Sequence, residues 1–263
     1  MGMAMQGSYG SPYIIALAYV MSCVGCGMGL SAMARSRSSV GRARRRWLGL
    51  GAVSIGGTGI WVMHFIAMLG YALPGTQITY NLPMTLGSLL VSIGVVWFGL
   101  HFAVRGDGSV RSLLPAGLVT GVGVAGMHYL GMAAMNMQAS VHYRIWLVAL
   151  SVVIAVTAAT VALWFAVNLH AAPAMLGAAL LMGLAVTGMH YTGEAAMLVS
   201  SAAENSRSGL TSSQLIVPLV AVVVVSTFAI LLTIGLSQSA EEIQQEAKIK
   251  ENLRKLEALR RAD

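Results

Sequence analysis

The chain has 263 residues, of which 57% are hydrophobic and only 10% charged, with a mean hydropathy of +0.75 and a net charge of +7. A water-soluble domain carries about a quarter charged residues, so composition excludes a soluble enzyme and points to a membrane protein. The basic residues are confined to connections and the tail, which excludes nucleic acid as a partner and makes the lipid bilayer the first one.

Taken in chain order, the sequence predicts an all-α polytopic membrane protein with seven transmembrane helices. The apolar stretches run over about Tyr13–Met33, Trp47–Tyr71, Leu82–Val104, Ser112–Met135, Ile145–Leu169, Pro173–Val199 and Gln214–Leu236. Each supplies the roughly 20 apolar residues that cross about 30 Å of hydrocarbon. Backbone amides in lipid must pair within their own segment, which makes the spans helices. The first stretch follows no basic leader and is long enough to stay in the membrane, so no cleaved signal is expected. It carries Cys23 and Cys26 on one face, read as small buried thiols rather than a disulfide.

Arg35, Arg37, Arg42, Arg44, Arg45 and Arg46 lie between spans one and two, and Arg105 and Arg111 between spans three and four. The tail adds Lys248, Lys250, Arg254, Lys255, Arg260 and Arg261, whereas the opposite side has only Arg144 and Arg207. Basic connections stay cytoplasmic, so the N-terminus is expected outside and the C-terminus inside. Seven crossings require the same.

Three spans carry a common triplet: Met63-His64-Phe65, Met127-His128-Tyr129 and Met189-His190-Tyr191. The histidines are 64 and then 62 residues apart, the mark of an internal repeat. The unit is a pair of helices, with the triplets on spans two, four and six. These run in one direction, so all three imidazoles are expected at one depth, roughly 10 Å from the outer helix ends at about 1.5 Å per residue. Glycines precede each triplet (Gly56, Gly57 and Gly59; Gly121, Gly123 and Gly126; Gly183 and Gly188), and small residues let transmembrane backbones approach.

After span seven the chain turns polar and helix-prone. Residues 1–238 read as a seven-helix membrane domain and 239–263 as a cytoplasmic helical linker leading to a further domain. Ile249, Leu253 and Leu256 have a coiled-coil step, which suggests a homodimer over too few heptads to require one.

An ionisable group inside a span is a candidate functional site. Helical spacing places His64 with Met68 and Tyr71, His128 with Met132 and Met135, and His190 with Glu194 and Met197. Glu194 is the only carboxylate in any span, read as second shell, ligand or proton acceptor. Thioethers suit Cu(I), and imidazole suits copper, zinc and iron. Copper is therefore the first choice, reinforced by Met1, Met3 and Met5. Zinc on three histidines is the second, and haem with axial histidines the third. Most of the 17 methionines are packing residues. His101, His142 and His170 are read as solvated groups near the interfaces.

The third copy extends to Met189-His190-Tyr191-Thr192, which resembles the signature of the bacterial MHYT domain family. The first copy departs with Phe65-Ile66, and the second ends in Leu130. The resemblance implies a multi-pass sensor domain of the bacterial inner membrane, proposed to hold copper near the outer face and to sense a diatomic gas (oxygen, carbon monoxide or nitric oxide) or redox state. It implies Met63, His64, Met127, His128, Met189 and His190 as ligands, whereas the helical-face argument prefers Met68 and Met132. It also implies a cytoplasmic signalling domain in the same chain, such as one controlling cyclic-di-GMP, with no catalytic residues in these 263. Two rival readings stand beside it: an integral-membrane zinc hydrolase with Glu194 as base, and a metal or proton carrier.

Overall fold

The computed structural model describes residues 4–5, 10–73, 76–137, 139–201 and 209–237, with Gln245, Lys248, Ile249, Asn252 and Leu253 of the tail helical. Seven helices are long and apolar enough to cross a membrane: Pro12–Arg37, Gly41–Leu69, Leu82–Ala103, Val110–Ala133, Ile145–Asn168, Ala172–Ala195 and Ser212–Leu236. The chain is an all-α, multi-pass membrane protein. Apart from those five residues, the predicted linker 239–263 falls outside the described residues, as do Met1 and Met3.

Local signals start these helices where the sequence places them. The Asn81 side chain accepts from the Met84 amide at 3.0 Å before span three. Thr211 and Gln214 form a reciprocal capping box before span seven, satisfying amides that the helix leaves unpaired. Pro12 and Pro173 occupy first turns, where no amide is lost.

Spans one to six form a ring in which each touches the next and span six returns to span one. Span one thus fills the place between spans six and two that span three fills between two and four, and span five between four and six. Span seven stands outside, beside spans one and two. The sequence pairs each histidine helix with the one after it. The ring closes instead with the helix that precedes the first.

Span two departs from a plain α-helix. Gly41–Ala52 and Met63–Leu69 are α-helical, but Val53–Val62 between them is a π-helix. Such widened turns recur at functional sites. Here Gly56 lies tight against the backbone of span three and Gly59 against that of span one. Ser92 Oγ in span three donates to the Gly56 carbonyl at 2.7 Å, and Trp61 Nε1 donates to Ser88 Oγ at 2.9 Å.

The two ends of the bundle differ. At the histidine end, the connections form two small antiparallel sheets, β1 (Ala4–Met5) with β5 (Met197–Ser201) and β4 (Ala139–Tyr143), and β3 (Met135–Asn136) with β2 (Thr79–Tyr80) and β6 (Leu210–Thr211). These strands were not anticipated. Spans four and six therefore end before Met135 and Met197, and span two before Tyr71, so these three residues leave the helical faces on which spacing had placed them.

At the other end, arginines cap helices. Arg44 reaches the Val104 carbonyl closing span three at 2.9 Å, and Arg35 the Ile234 carbonyl near the end of span seven at 3.0 Å. Arg37 donates to the Ala166 and Leu169 carbonyls that end span five. Cations at helix C-termini satisfy orphan carbonyls and oppose the dipole. Arg37→Ala should lower unfolding free energy in detergent by about 2 kcal/mol, the scale of hydrogen bonds from a charged donor. Thermal unfolding reads it directly, and an unchanged midpoint would show that water replaces the cap.

Candidate metal centre

Each histidine stands five residues before its helix ends, at Leu69, Ala133 and Ala195. At about 1.5 Å per residue this is about 7.5 Å, shallower than expected but equal for all three. Parallel repeats leave equivalent residues at one level. The ring of helices then brings them to one point.

Nδ1 of His64 lies 2.9 Å from Nδ1 of His190 and 3.2 Å from Nδ1 of His128, and the third pair is 3.3 Å apart. The rings are nearly perpendicular, with centroids 4.9 to 5.0 Å apart. All three are buried, none more than 1% exposed. Among the described residues, this is the one group of His, Cys, Asp and Glu with ligand atoms close enough to hold a metal ion.

Neutral imidazoles cannot satisfy such a triangle. Each Nδ1 offers either one proton or one lone pair. Three mutual contacts therefore always leave at least one pair alike, proton to proton or lone pair to lone pair. A cation facing three lone pairs removes the conflict. The spacing fits: with metal–nitrogen bonds of about 2.0–2.1 Å, nitrogens of a tetrahedral site stand about 3.3 Å apart.

The outer edges of the rings are held by what is missing beside them. A Cβ at Gly131 would overlap Nε2 of His64, and a Cβ at Gly193 would overlap Nε2 of His128. Each imidazole thus lies against a bare patch on the next histidine helix. Both glycines stand three residues after a histidine, a spacing visible in the sequence but passed over for the glycines that precede it. The first repeat has Ala67 there. Of those preceding glycines, Gly126 and Gly188 have open space beside them, whereas Gly183 approaches Cys23.

Glu194 breaks the threefold pattern. Its Oε2 lies 3.2 Å from Nε2 of His190, within ion-pair reach but off the line of a good hydrogen bond. Both carboxylate oxygens and all three Nε2 atoms are buried without a hydrogen-bond partner.

The five candidate methionines are equally buried but pack as core. Met63 joins Ala18 and Ala67 in a small apolar cluster, while Met68, Met127, Met132 and Met189 belong to the main core. Thr192, the last residue of the signature, donates its hydroxyl to the Gly188 carbonyl of its own helix at 2.7 Å. Its absence from the other copies therefore costs the triad nothing. His101 stacks on Trp97 at 4.7 Å near the other end of the bundle.

Above the triad, Tyr80 of β2 is buried and donates its hydroxyl to the Met68 carbonyl at 3.2 Å. Burial pushes its phenol up to about 12, so it remains a neutral donor. Below the triad lies an apolar cavity of about 50 Å³ to which all six ring helices contribute.

The sequence comparisons agree with this construction. The MHYT family, described as "Bacterial signalling protein N terminal repeat", matches residues 57–116, 121–179 and 183–244. The chain is 39% identical over 189 residues to the bifunctional diguanylate cyclase/cyclic di-GMP phosphodiesterase MucR of Pseudomonas aeruginosa, covering 70% of this chain and 27% of that protein. It is 35% identical over 211 residues to the cyclic di-GMP phosphodiesterase NbdA of the same organism, covering 76% and 26%. The signaling protein YkoW of Bacillus subtilis is 28% identical over 187 residues, covering 68% and 23%. The chain thus spans about a quarter of the length of these relatives. No solved structure matches. With three copies of the repeat carrying its three convergent histidines, the chain belongs to the MHYT family.

Proposed function

We propose that this chain is the sensory input part of a membrane signalling protein, built around a metal ion held by His64, His128 and His190. The observation that carries the reading is the convergence of three buried Nδ1 atoms within 3.3 Å. The relatives named as diguanylate cyclase and cyclic di-GMP phosphodiesterase supply the output: a cytoplasmic domain beyond residue 263 that acts on that nucleotide. The N-terminus outside and the bacterial inner membrane complete the arrangement. A homodimer through the tail is its natural oligomer.

Copper is the metal favoured by the donor set, because imidazoles flanked by thioethers are soft and the surroundings are dry. Bound there, it would supply a redox-active centre able to take a diatomic gas. The histidines are the ligands in this reading. Glu194, with Oε2 3.2 Å from Nε2 of His190, favours the tautomer that carries the proton on Nε2 and leaves Nδ1 free for the metal. Met63, Met68, Met127, Met132 and Met189 shape the pocket and are reserve ligands. A ligand signals only if it binds one arrangement of the bundle better than another. Movement of span two against spans one and seven is the route to the tail.

Two observations weigh against the rivals. Among the described residues the triad is buried, none of its imidazoles more than 1% exposed, which leaves no opening there for the lipid or peptide a hydrolase would cut. The apolar cavity beneath it interrupts any polar path for a carrier. The test is metal content by mass spectrometry on detergent-purified protein, with His64→Ala/His128→Ala/His190→Ala in parallel. About one copper per chain in the wild type, lost in the variant, is the expected result. Zinc in its place would return the hydrolase to consideration. Wild type without metal even after copper loading would overturn the metal site.

A further inference from the structure

The cavity below the triad has no role in the metal site, and its position relates it to all three repeats. Ile60, Val124 and Val186 line it. Each stands four residues before a histidine, so one turn of each histidine helix separates the cavity from the imidazoles. On the far side, span five contributes four small side chains, Ala155, Ala158, Ala159 and Ala162, together with Leu163.

The walls are almost wholly apolar. Of the polar groups that line it, the Thr120 hydroxyl is already turned to the Val95 carbonyl, 3.4 Å away, and Cys26 offers only a thiol. A water needs two to four polar partners and about 10–15 Å³. The cavity has the room, about 50 Å³, but not the partners. Apolar cavities of this kind stay dry and take small apolar guests.

A second hollow, of about 310 Å³, lies on the lipid-facing flank between spans five and six. It shares Ala158, Met182 and Ala185 with the inner cavity. The partition is therefore two methyl groups and one unbranched thioether chain, and methionine is the most adaptable of apolar side chains. Val153 and Leu181 on the rim are more than half exposed, toward what would be hydrocarbon. Apolar molecules are driven from water into that phase.

We infer that the axial cavity is a binding chamber for an apolar molecule of diatomic size, which enters sideways from the lipid between spans five and six past Ala158, Met182 and Ala185. The inference deepens the sensor reading, since it places the sensed molecule one helical turn beneath the triad. The guest dissolves first in the bilayer, crosses the thin partition and reaches the histidines from below. Burial of the triad then serves to keep water and large ligands away.

Xenon tests the chamber without any metal. ¹²⁹Xe NMR on nanodisc-embedded wild type should show a saturable shift above the linear lipid background. Ala159→Phe fills the chamber and should abolish the saturable part; Ala159→Leu serves if the larger side chain prevents folding. Leu181→Trp fills the outer hollow without touching the chamber and should slow exchange of bound xenon while keeping its shift. The metal-free triple histidine variant should bind xenon like the wild type, which separates failure of the chamber from failure of the metal site. A purely linear response in the wild type, or a saturable one unchanged by filling Ala159, would overturn the chamber. Exchange unaffected by Leu181→Trp would overturn the lateral entry.

Discussion

Gly131→Val should empty the proposed metal centre although every histidine remains. A Cβ at this position would overlap Nε2 of His64, and valine adds two methyls in the same direction. The imidazole is no flexible tip that can step aside. It is buried between helices, and its other nitrogen stands 2.9 and 3.2 Å from its two partners. Any swing that relieves the clash opens the Nδ1 triangle. Loss of groups that orient metal ligands lowers affinity about 10- to 100-fold, and displacement of a ligand should reach the upper end. Copper per chain and copper affinity under competition with a chelator are the measurements. Gly193→Val should act alike through His128. Gly126→Val, with nothing within 4 Å of its added carbon, is the control that should retain metal. Full retention in Gly131→Val would show that His64 does not ligate from the position described.

Gly25→Val should have the largest effect on stability. Here the obstacle is backbone: a Cβ at Gly25 would run into the amide nitrogen and Cα of Gly59. Gly59 belongs to the π-helical stretch of span two, so neither side can yield without moving a helix. Overpacking costs about 1–3 kcal/mol and sometimes more, and a backbone obstacle belongs at the top of that range. Spans one and two would separate, and the ring that aims the histidines would open. The thermal midpoint in detergent should fall steeply, with metal retention falling beside it. A midpoint within a degree or two of wild type would mean that span one is not held in the ring by this contact.

Much of the fold was legible because its cause is local. Hydrocarbon forces each apolar stretch to pair its own amides, so the seven spans appear in the sequence within a few residues of their observed bounds. Repeat spacing placed the three histidines at one depth for the same reason: equal climbs along parallel helices give equal heights. The strands at the histidine end were missed because their pairs lie far apart in the chain, as Thr79 with Asn136 and Thr211. The π-helix was missed because glycine-rich apolar sequence reads as α-helix until neighbours on both sides press on it.

The sequence by itself determined the membrane setting, the helix count, the repeat and the histidines, all of which follow from composition and period. Tertiary structure decided which helix closes the ring. Span seven follows the third histidine helix in the chain, but span one is the neighbour that fits between spans six and two. Tertiary structure also decided that Nδ1 and not Nε2 faces the axis, because Gly131 and Gly193 leave room for the outer edges of the rings. It packed the candidate methionines among core side chains and set Glu194 behind His190. Such choices depend on how whole helices pack against one another, and packing between segments sixty residues apart leaves no local trace.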